Sequence, residues 1–168
     1  GLKVRSAGRA FAEMWRGAGA SVVSIPSSEV YTAMQTGVIE ATDTSSGSFV
    51  SFRLYEQMKC LTAPGNNALW FMYESVVMAK KKFDALNKMQ QDALSAASKR
   101  SEEYFDKETR GLDAKMVDVF KRNGVEVTEF SPQQFEAWRE VAKKTSYKIF
   151  AEKVKGGDAL IAKALAVE

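Results

Sequence analysis

Residues 2–42, LKVRSAGRAFAEMWRGAGASVVSIPSSEVYTAMQTGVIEAT, decide the fold. Short apolar runs alternate there with helical patterns, which is the rhythm of an α/β domain with a mostly parallel sheet. Leu2 to Arg5 reads as a strand. From Arg9 to Ala18 the apolar residues Ala10, Phe11, Met14, Trp15 and Ala18 recur at three- and four-residue steps, giving a helix with one buried face that Gly19 ends. Ser21 to Ile25 reads as the next strand, stopped by Pro26; Ser27 and Ser28 can cap a second helix whose buried stripe is Val30, Tyr31, Met34 and Val38. Ile39 to Thr42 is a third, short strand. The polar run Thr44-Ser45-Ser46-Gly47-Ser48 leads from it into an apolar helix with Phe49, Phe52, Leu54 and Tyr55.

Downstream the texture changes. Pro64-Gly65-Asn66-Asn67 is a turn by composition, after which Ala68 to Ala79 is an apolar run rich in aromatic and β-branched residues, expected to be one long buried strand or two. From about Lys88 to Arg122 there is no proline and a single glycine, Gly111, while Leu94, Ala97, Ser101, Tyr104, Glu108, Leu112, Met116 and Val119 keep helical spacing. The spacing predicts one helix of about 35 residues, about 50 Å long at 1.5 Å per residue. That is far beyond the usual helix of about 11 to 12 residues, so it must pair with another long helix or bridge two lobes. Asn123-Gly124 ends it and Val125 to Phe130 makes a strand. Ser131-Pro132-Gln133-Gln134 is a capping box with proline at the first helical position, opening a helix that runs to about Val154. Gly156-Gly157 breaks that helix, and Ala159 to Val167 adds a short terminal one.

Composition narrows the function. The 168 residues suit one domain of ordinary size, and 45% hydrophobic with 11% aromatic residues is enough for a core, which excludes a disordered chain. There is no histidine, so Ser/His/Asp triads, Cys/His dyads and HExxH metal sites are excluded. The single Cys60 excludes an internal disulfide and a cysteine-based zinc site; beside Met58 and Leu61 it is expected to be an inert, packed thiol. The 24 basic residues interleave with 21 acidic ones and form no dense patch for a phosphate backbone, so nucleic acid is not an expected partner. No run approaches the roughly 18 apolar residues of a membrane span, and Gly1-Leu2-Lys3-Val4-Arg5 lacks the apolar core of a signal peptide. The balance favours a binding protein without metal or cofactor.

Several tempting motifs have plainer explanations. Gly17-Ala18-Gly19 follows a helix instead of a strand and is a helix stop, not a dinucleotide fingerprint. Trp70, Phe71 and Tyr73 sit at strand spacing, where core packing is the default; Trp70 alone is kept as a candidate pocket wall. Glu102-Glu103 lies on a charged, solvated helix face. Two features are stronger. Arg5 ends the first apparent strand, and open α/β sheets bind ligands beyond the carboxyl ends of their strands, where a guanidinium can grip a carboxylate through two parallel hydrogen bonds. Asp43-Thr44-Ser45-Ser46 ends the third strand and opens a helix, a place where hydroxyls and free amides can cradle an anion.

Gly1-Leu2-Lys3-Val4-Arg5, then Ser28 and EVYTAMQTGVIEA at 29–41, then Phe71 to Phe83 with its MAKKKFDAL continuation, resemble the solute-binding proteins of tripartite ATP-independent periplasmic (TRAP) transporters, the DctP-type family. The 29–41 stretch is the most specific part. The resemblance covers all 168 residues but only the later part of the family pattern, whose members begin with a secretion signal and a first-lobe segment. It implies a two-lobe, type II-like periplasmic-binding-protein fold, with strands that cross between the lobes and a long helix spanning both. On that pattern residues 1–69 and 110–168 belong mainly to lobe II, and 70–109 are a crossing strand and helix belonging to lobe I.

The resemblance further implies a periplasmic protein that captures a small organic acid in its cleft, closes over it, and delivers it to the TRAP membrane permease subunits. Arg5 matches the arginine that pairs with the ligand carboxylate. Thr44 falls where family members carry an Asn or a Trp that contacts ligand, and Asp43 precedes it as an acidic residue often does. Ser27 matches another pocket position, and Asn67 and Trp70 fall where the crossing strand lines the cleft. Thr44-Ser45 replaces the Asn-Pro of sialic-acid binders, and the Glu-Trp pair of 2-oxo-acid binders is missing. Small hydroxyl-lined positions leave room for a dicarboxylate or a bulkier aromatic or sugar acid. Two alternatives stand beside this: a self-contained α/β enzyme acting on a small acid through Asp43 and a hydroxyl residue, and a fragment that binds nothing.

Overall fold

The computed structural model describes residues 1–71 and 75–167. Its first sheet follows from the alternation in residues 2–42. Strand β1 (Lys3–Arg5) lies between β2 (Ser21–Val23) and β3 (Ala41–Thr42), all parallel, with Val4 opposite both Val22 and Ala41. Helix α1 (Arg9–Gly17) carries the chain from β1 to β2; a turn at Ser27–Glu29 and helix α2 (Val30–Gln35) carry it back past β1 to β3. Ile39, 2% exposed, joins Val30 and Ala33 in the core, whereas Val38 is 54% exposed and not part of the buried stripe. The reason is that α2 stops at Gln35 and Gly37, at φ +73°, turns the chain before Val38.

A second parallel pair joins β4 (Cys60–Ala63) to β5 (Glu126–Glu129), with Leu61 opposite Val127. Strand β4 was not anticipated. It turns Leu61 and Ala63 inward and Cys60 and Thr62 outward, so Cys60 is exposed, not packed. Beneath the pair, helix α3 (Ser46–Ser51) packs on helix α6 (Leu112–Arg122). Fully buried Phe120 meets Phe49 edge to face at 5.7 Å between ring centroids and Tyr55 at 5.9 Å. Val30, Ile39, Leu54, Leu61, Met116 and Val125 complete this cluster.

The predicted long helix is two helices. Lys88–Thr109 forms α5, opened by a reciprocal Asn87/Gln90 capping box, and α6 begins after Gly111. Helix α6 must turn Met116 and Phe120 into the core, while α5 buries no residue, and glycine is the weakest point at which the two demands can separate. Helix α4 (Lys80–Asp84) precedes them. The predicted strand over Ala68 to Ala79 is not formed among the described residues of that stretch, because no described strand pairs with it and a strand exists only through its neighbour's hydrogen bonds. Phe71 is 84% exposed and Val76 95%, so Phe71 is not core; Tyr73 lies outside the described residues.

The carboxyl-terminal region begins as the sequence requires. Ser131 Oγ accepts from the Gln134 N–H at 3.2 Å and Gln134 Oε1 accepts from the Ser131 N–H at 2.9 Å, opening α7 (Pro132–Ala142). A π-helical turn, Lys143–Tyr147, continues into α8 (Lys148–Lys153), and α9 (Gly157–Leu165) follows Gly156. The π turn docks on α1: Ser146 Oγ donates to the Ala10 carbonyl at 2.8 Å, and Trp138 meets Trp15 edge to face at 5.1 Å.

Candidate functional site

Chain direction across the first sheet reverses between β1 and β3, so their carboxyl ends flank the topological switch point where open α/β sheets hold ligands. Arg5 is the last residue of β1 and is only 5% exposed. Its Nε donates to the Ile25 carbonyl at 3.1 Å, Nη1 to the Asp43 carbonyl at 3.1 Å, and Nη2 to Ser27 Oγ at 2.9 Å. A guanidinium has five N–H donors, so these three bonds leave one on each Nη. Burial lowers the pKa of Arg5 from its ordinary value and the neighbouring Asp43 charge opposes that; the group stays a cation.

Asp43 follows β3. Its Oδ1 accepts from the Ala7 N–H at 2.6 Å, and its Oδ2 accepts from Ser6 Oγ at 2.8 Å and Trp15 Nε1 at 2.6 Å. Three protein donors therefore occupy the carboxylate. The serine run beyond it is largely used in folding: Ser45 Oγ caps α3 by accepting from the Ser48 N–H at 3.3 Å, and Ser46 Oγ donates to Asp113. Thr44 lies between Asp43 and Ser45, half-buried. Ser27 does not cap a helix; its hydroxyl serves Arg5 instead.

Arg5, Ser27 and Asp43 are thus brought into one hydrogen-bonded group with Thr44 beside it. Asn67 and Trp70 are tied elsewhere. Asn67 Nδ2 donates to the Phe130 carbonyl at 2.9 Å, and Trp70 lies against Phe11 of α1 with ring centroids 4.8 Å apart. Ser6, Ala7 and Trp15 were missed by sequence reasoning. Trp15 carried a usable signal, since a tryptophan on a helix face that becomes buried must find an acceptor for its N–H. A cavity of about 560 Å³ opens beside the group, between Ser6–Arg9 and Val22–Ser24, with Glu13 and Arg16 on its α1 wall. It borders the β2 side and does not include Arg5 among its walls, so the switch point, where the buried cation lies, is the better candidate. Among the described residues no group of His, Cys, Asp and Glu is placed to hold a metal, and no helix is long and apolar enough to cross a membrane.

A parallel α/β lobe with a buried arginine at its switch point holds a fixed cation where such folds bind small ligands. The chain belongs to the bacterial extracellular solute-binding protein family 7, DctP, whose profile matches residues 1–153. It is 38% identical over 162 residues to a solute-binding protein of Albidiferax ferrireducens, covering 96% of this chain and 48% of that protein. A protein of Haemophilus influenzae is 32% identical over 134 residues, covering 77% of this chain and 39% of that one. Among solved structures, a TRAP periplasmic solute-binding protein from Rhodoferax ferrireducens with bound malonate superposes with a TM-score of 0.88 at 36% identity, over 100% of this chain and 55% of that one. A second, from a Sulfitobacter species with bound β-D-galacturonate, gives 0.74 at 28% identity, over 86% of this chain and 48% of that one. The chain spans about half the length of the relatives it matches. The family and the Albidiferax, Rhodoferax and Sulfitobacter proteins are described as solute-binding proteins.

Proposed function

We propose that this chain is about half of the periplasmic solute-binding subunit of a TRAP transporter, which captures a small organic acid and hands it to the membrane permease subunits. The observation that carries this is Arg5: a nearly buried cation at the switch point, with three of its N–H groups committed to the protein and one left on each Nη. Two such N–H groups match the two oxygens of one carboxylate, and a charge-assisted pair is strong where water is excluded. Malonate, bound by the Rhodoferax protein, and galacturonate, bound by the Sulfitobacter one, both present a carboxylate. Ser27 orients Arg5, Thr44 offers a hydroxyl beside it, and Asn67 and Trp70 border the cleft.

On this reading residues 1–69 and 110–168 belong mainly to the ligand-gripping lobe, and 70–109 belong to a first lobe. The exposed apolar side chains Phe71, Val76, Val77 and Met78, and α5 with nothing buried, support that division, because such a segment is stable only when covered by another layer. Isothermal titration calorimetry with malonate, galacturonate and pyroglutamate tests the function, pyroglutamate being the ligand of a Bordetella pertussis solute receptor 25% identical to this chain. The expected result is binding of at least one of them, with loss of about 100-fold or more in Arg5→Ala. Equal affinity of Arg5→Ala and the parent would remove Arg5 from this role.

A further inference from the structure

Asp43 carries more than its position beside a ligand site demands. Its two carboxylate oxygens are fixed from three directions by Ser6 Oγ, the Ala7 N–H and Trp15 Nε1, at 2.6–2.8 Å. Its main chain meets Arg5 twice: the Asp43 N–H donates to the Arg5 carbonyl at 3.3 Å, and the Asp43 carbonyl accepts from Arg5 Nη1 at 3.1 Å. Trp15 is held in turn by the ring of Trp138, so the indole N–H has little freedom to leave Asp43.

We propose that Asp43 is the positioning residue of the Arg5 clamp: its side chain, anchored by Ser6, Ala7 and Trp15, fixes the peptide whose carbonyl aims the guanidinium. Asp43 itself does not touch the ligand. A carboxylate with three donors already on it has little left to offer a ligand, and its charge would repel an acid. Held through its own peptide, it keeps the two remaining Arg5 N–H groups in one orientation, so an incoming carboxylate meets a preset pair. Arg5 has two other acceptors, Ile25 and Ser27, but the Asp43 carbonyl is the one whose place is set by helix α1 as well as by the sheet.

The inference rests on Arg5 being the clamp, and two measurements separate the two ideas. The first needs no ligand: hydrogen exchange of the Arg5 guanidinium N–H groups, followed by nitrogen-15 NMR with the Phe120 main-chain amide as a core reference. Trp15→Phe keeps the ring against Trp138 and removes only the donor to Asp43; Asp43→Asn places an amide, with a single accepting oxygen, where three donors now point. Both are expected to speed Arg5 exchange about tenfold while Phe120 keeps its rate. Unchanged Arg5 exchange in Trp15→Phe, or equal acceleration at Phe120, overturns the inference, and Trp15→Phe serves even if Asp43→Asn fails to fold.

The second is the affinity for malonate. Trp15→Phe is expected to weaken it about tenfold in the parent and to change nothing further in an Arg5→Lys background. A loss of equal size in both backgrounds overturns the inference. If Arg5→Ala binds like the parent, the clamp itself is refuted; if Arg5→Ala loses binding while Trp15→Phe retains it fully, only the role of Asp43 falls.

Discussion

The side-chain amide of Asn67 donates to the main-chain carbonyl of Phe130 at 2.9 Å, tying the turn after β4 to the residue just beyond β5. Strands β4 and β5 are short and form a two-stranded pair, so their ends depend on such ties. Asn67→Ala should cost about 1 kcal/mol of stability in urea unfolding, the typical net worth of one hydrogen bond. No change in the unfolding midpoint would show that water replaces the amide without loss.

Phe120 is the side chain on which the larger cluster closes, touching Phe49 and Tyr55 by their edges. Phe120→Ala should destabilise by about 3–5 kcal/mol, the range for an aromatic removed from a packed core. Denaturant unfolding with an unchanged slope and a lowered midpoint is the expected result. Phe120→Leu should recover most of the loss.

Gly157 opens α9 with no room for a side chain. A Cβ there would stand 2.8 Å from the Phe150 carbonyl oxygen and 2.9 Å from the Ala151 Cα, both backbone atoms that cannot rotate away. Gly157→Ala should therefore destabilise by about 1–3 kcal/mol, whereas Gly8→Ala, which meets nothing within 4 Å, should cost little. Thermal unfolding of the two variants side by side tests the contrast.

The Tyr31 hydroxyl donates to Glu56 Oε2 at 2.8 Å and Arg53 pairs with the other oxygen, so first the tyrosine and then the arginine hold the Glu56 carboxyl below its ordinary pKa. A lowered folded-state pKa gives stability that is present above the unfolded value, about 4.3, and is lost as the pH falls through the folded value. In Tyr31→Phe the Glu56 titration, followed by carbon-13 NMR of the carboxyl, should move up. A titration identical to the parent's would assign the depression to Arg53 alone.

The parts legible in the sequence are those whose signal is local. Helix α1, the Ser131 capping box and the position of Arg5 at the end of β1 follow from spacing and side-chain chemistry within a few residues. What escaped is decided at a distance. Cys60-Leu61-Thr62-Ala63 becomes a strand because Glu126–Glu129 lies alongside, and that same pairing turns Cys60 outward. Ala68 to Ala79 has strand composition without a described partner strand, and composition alone does not pair a backbone. The break at Gly111 depends on α6 needing the core while α5 does not. At the site, Arg5 was visible as a strand-end cation, but the grip of Ser6, Ala7 and Trp15 on Asp43 joins residues 28 to 37 positions apart that no motif connects.

The π turn at Lys143–Tyr147 gives this helix one residue more than an unbroken α-helix of the same length would hold. That surplus residue is absorbed as a bulge, which is what seats the helix on α1: Ser146 bonds the Ala10 carbonyl and Thr145 stands against Gly17. Removing one residue between 143 and 147 would let the helix close into uniform α geometry with α7 and α8 still in phase, at the cost of that seat. A deletion within α7 or α8 would instead rotate everything beyond it by about 100°. Length variation is therefore better tolerated in this one turn than in the helix on either side of it.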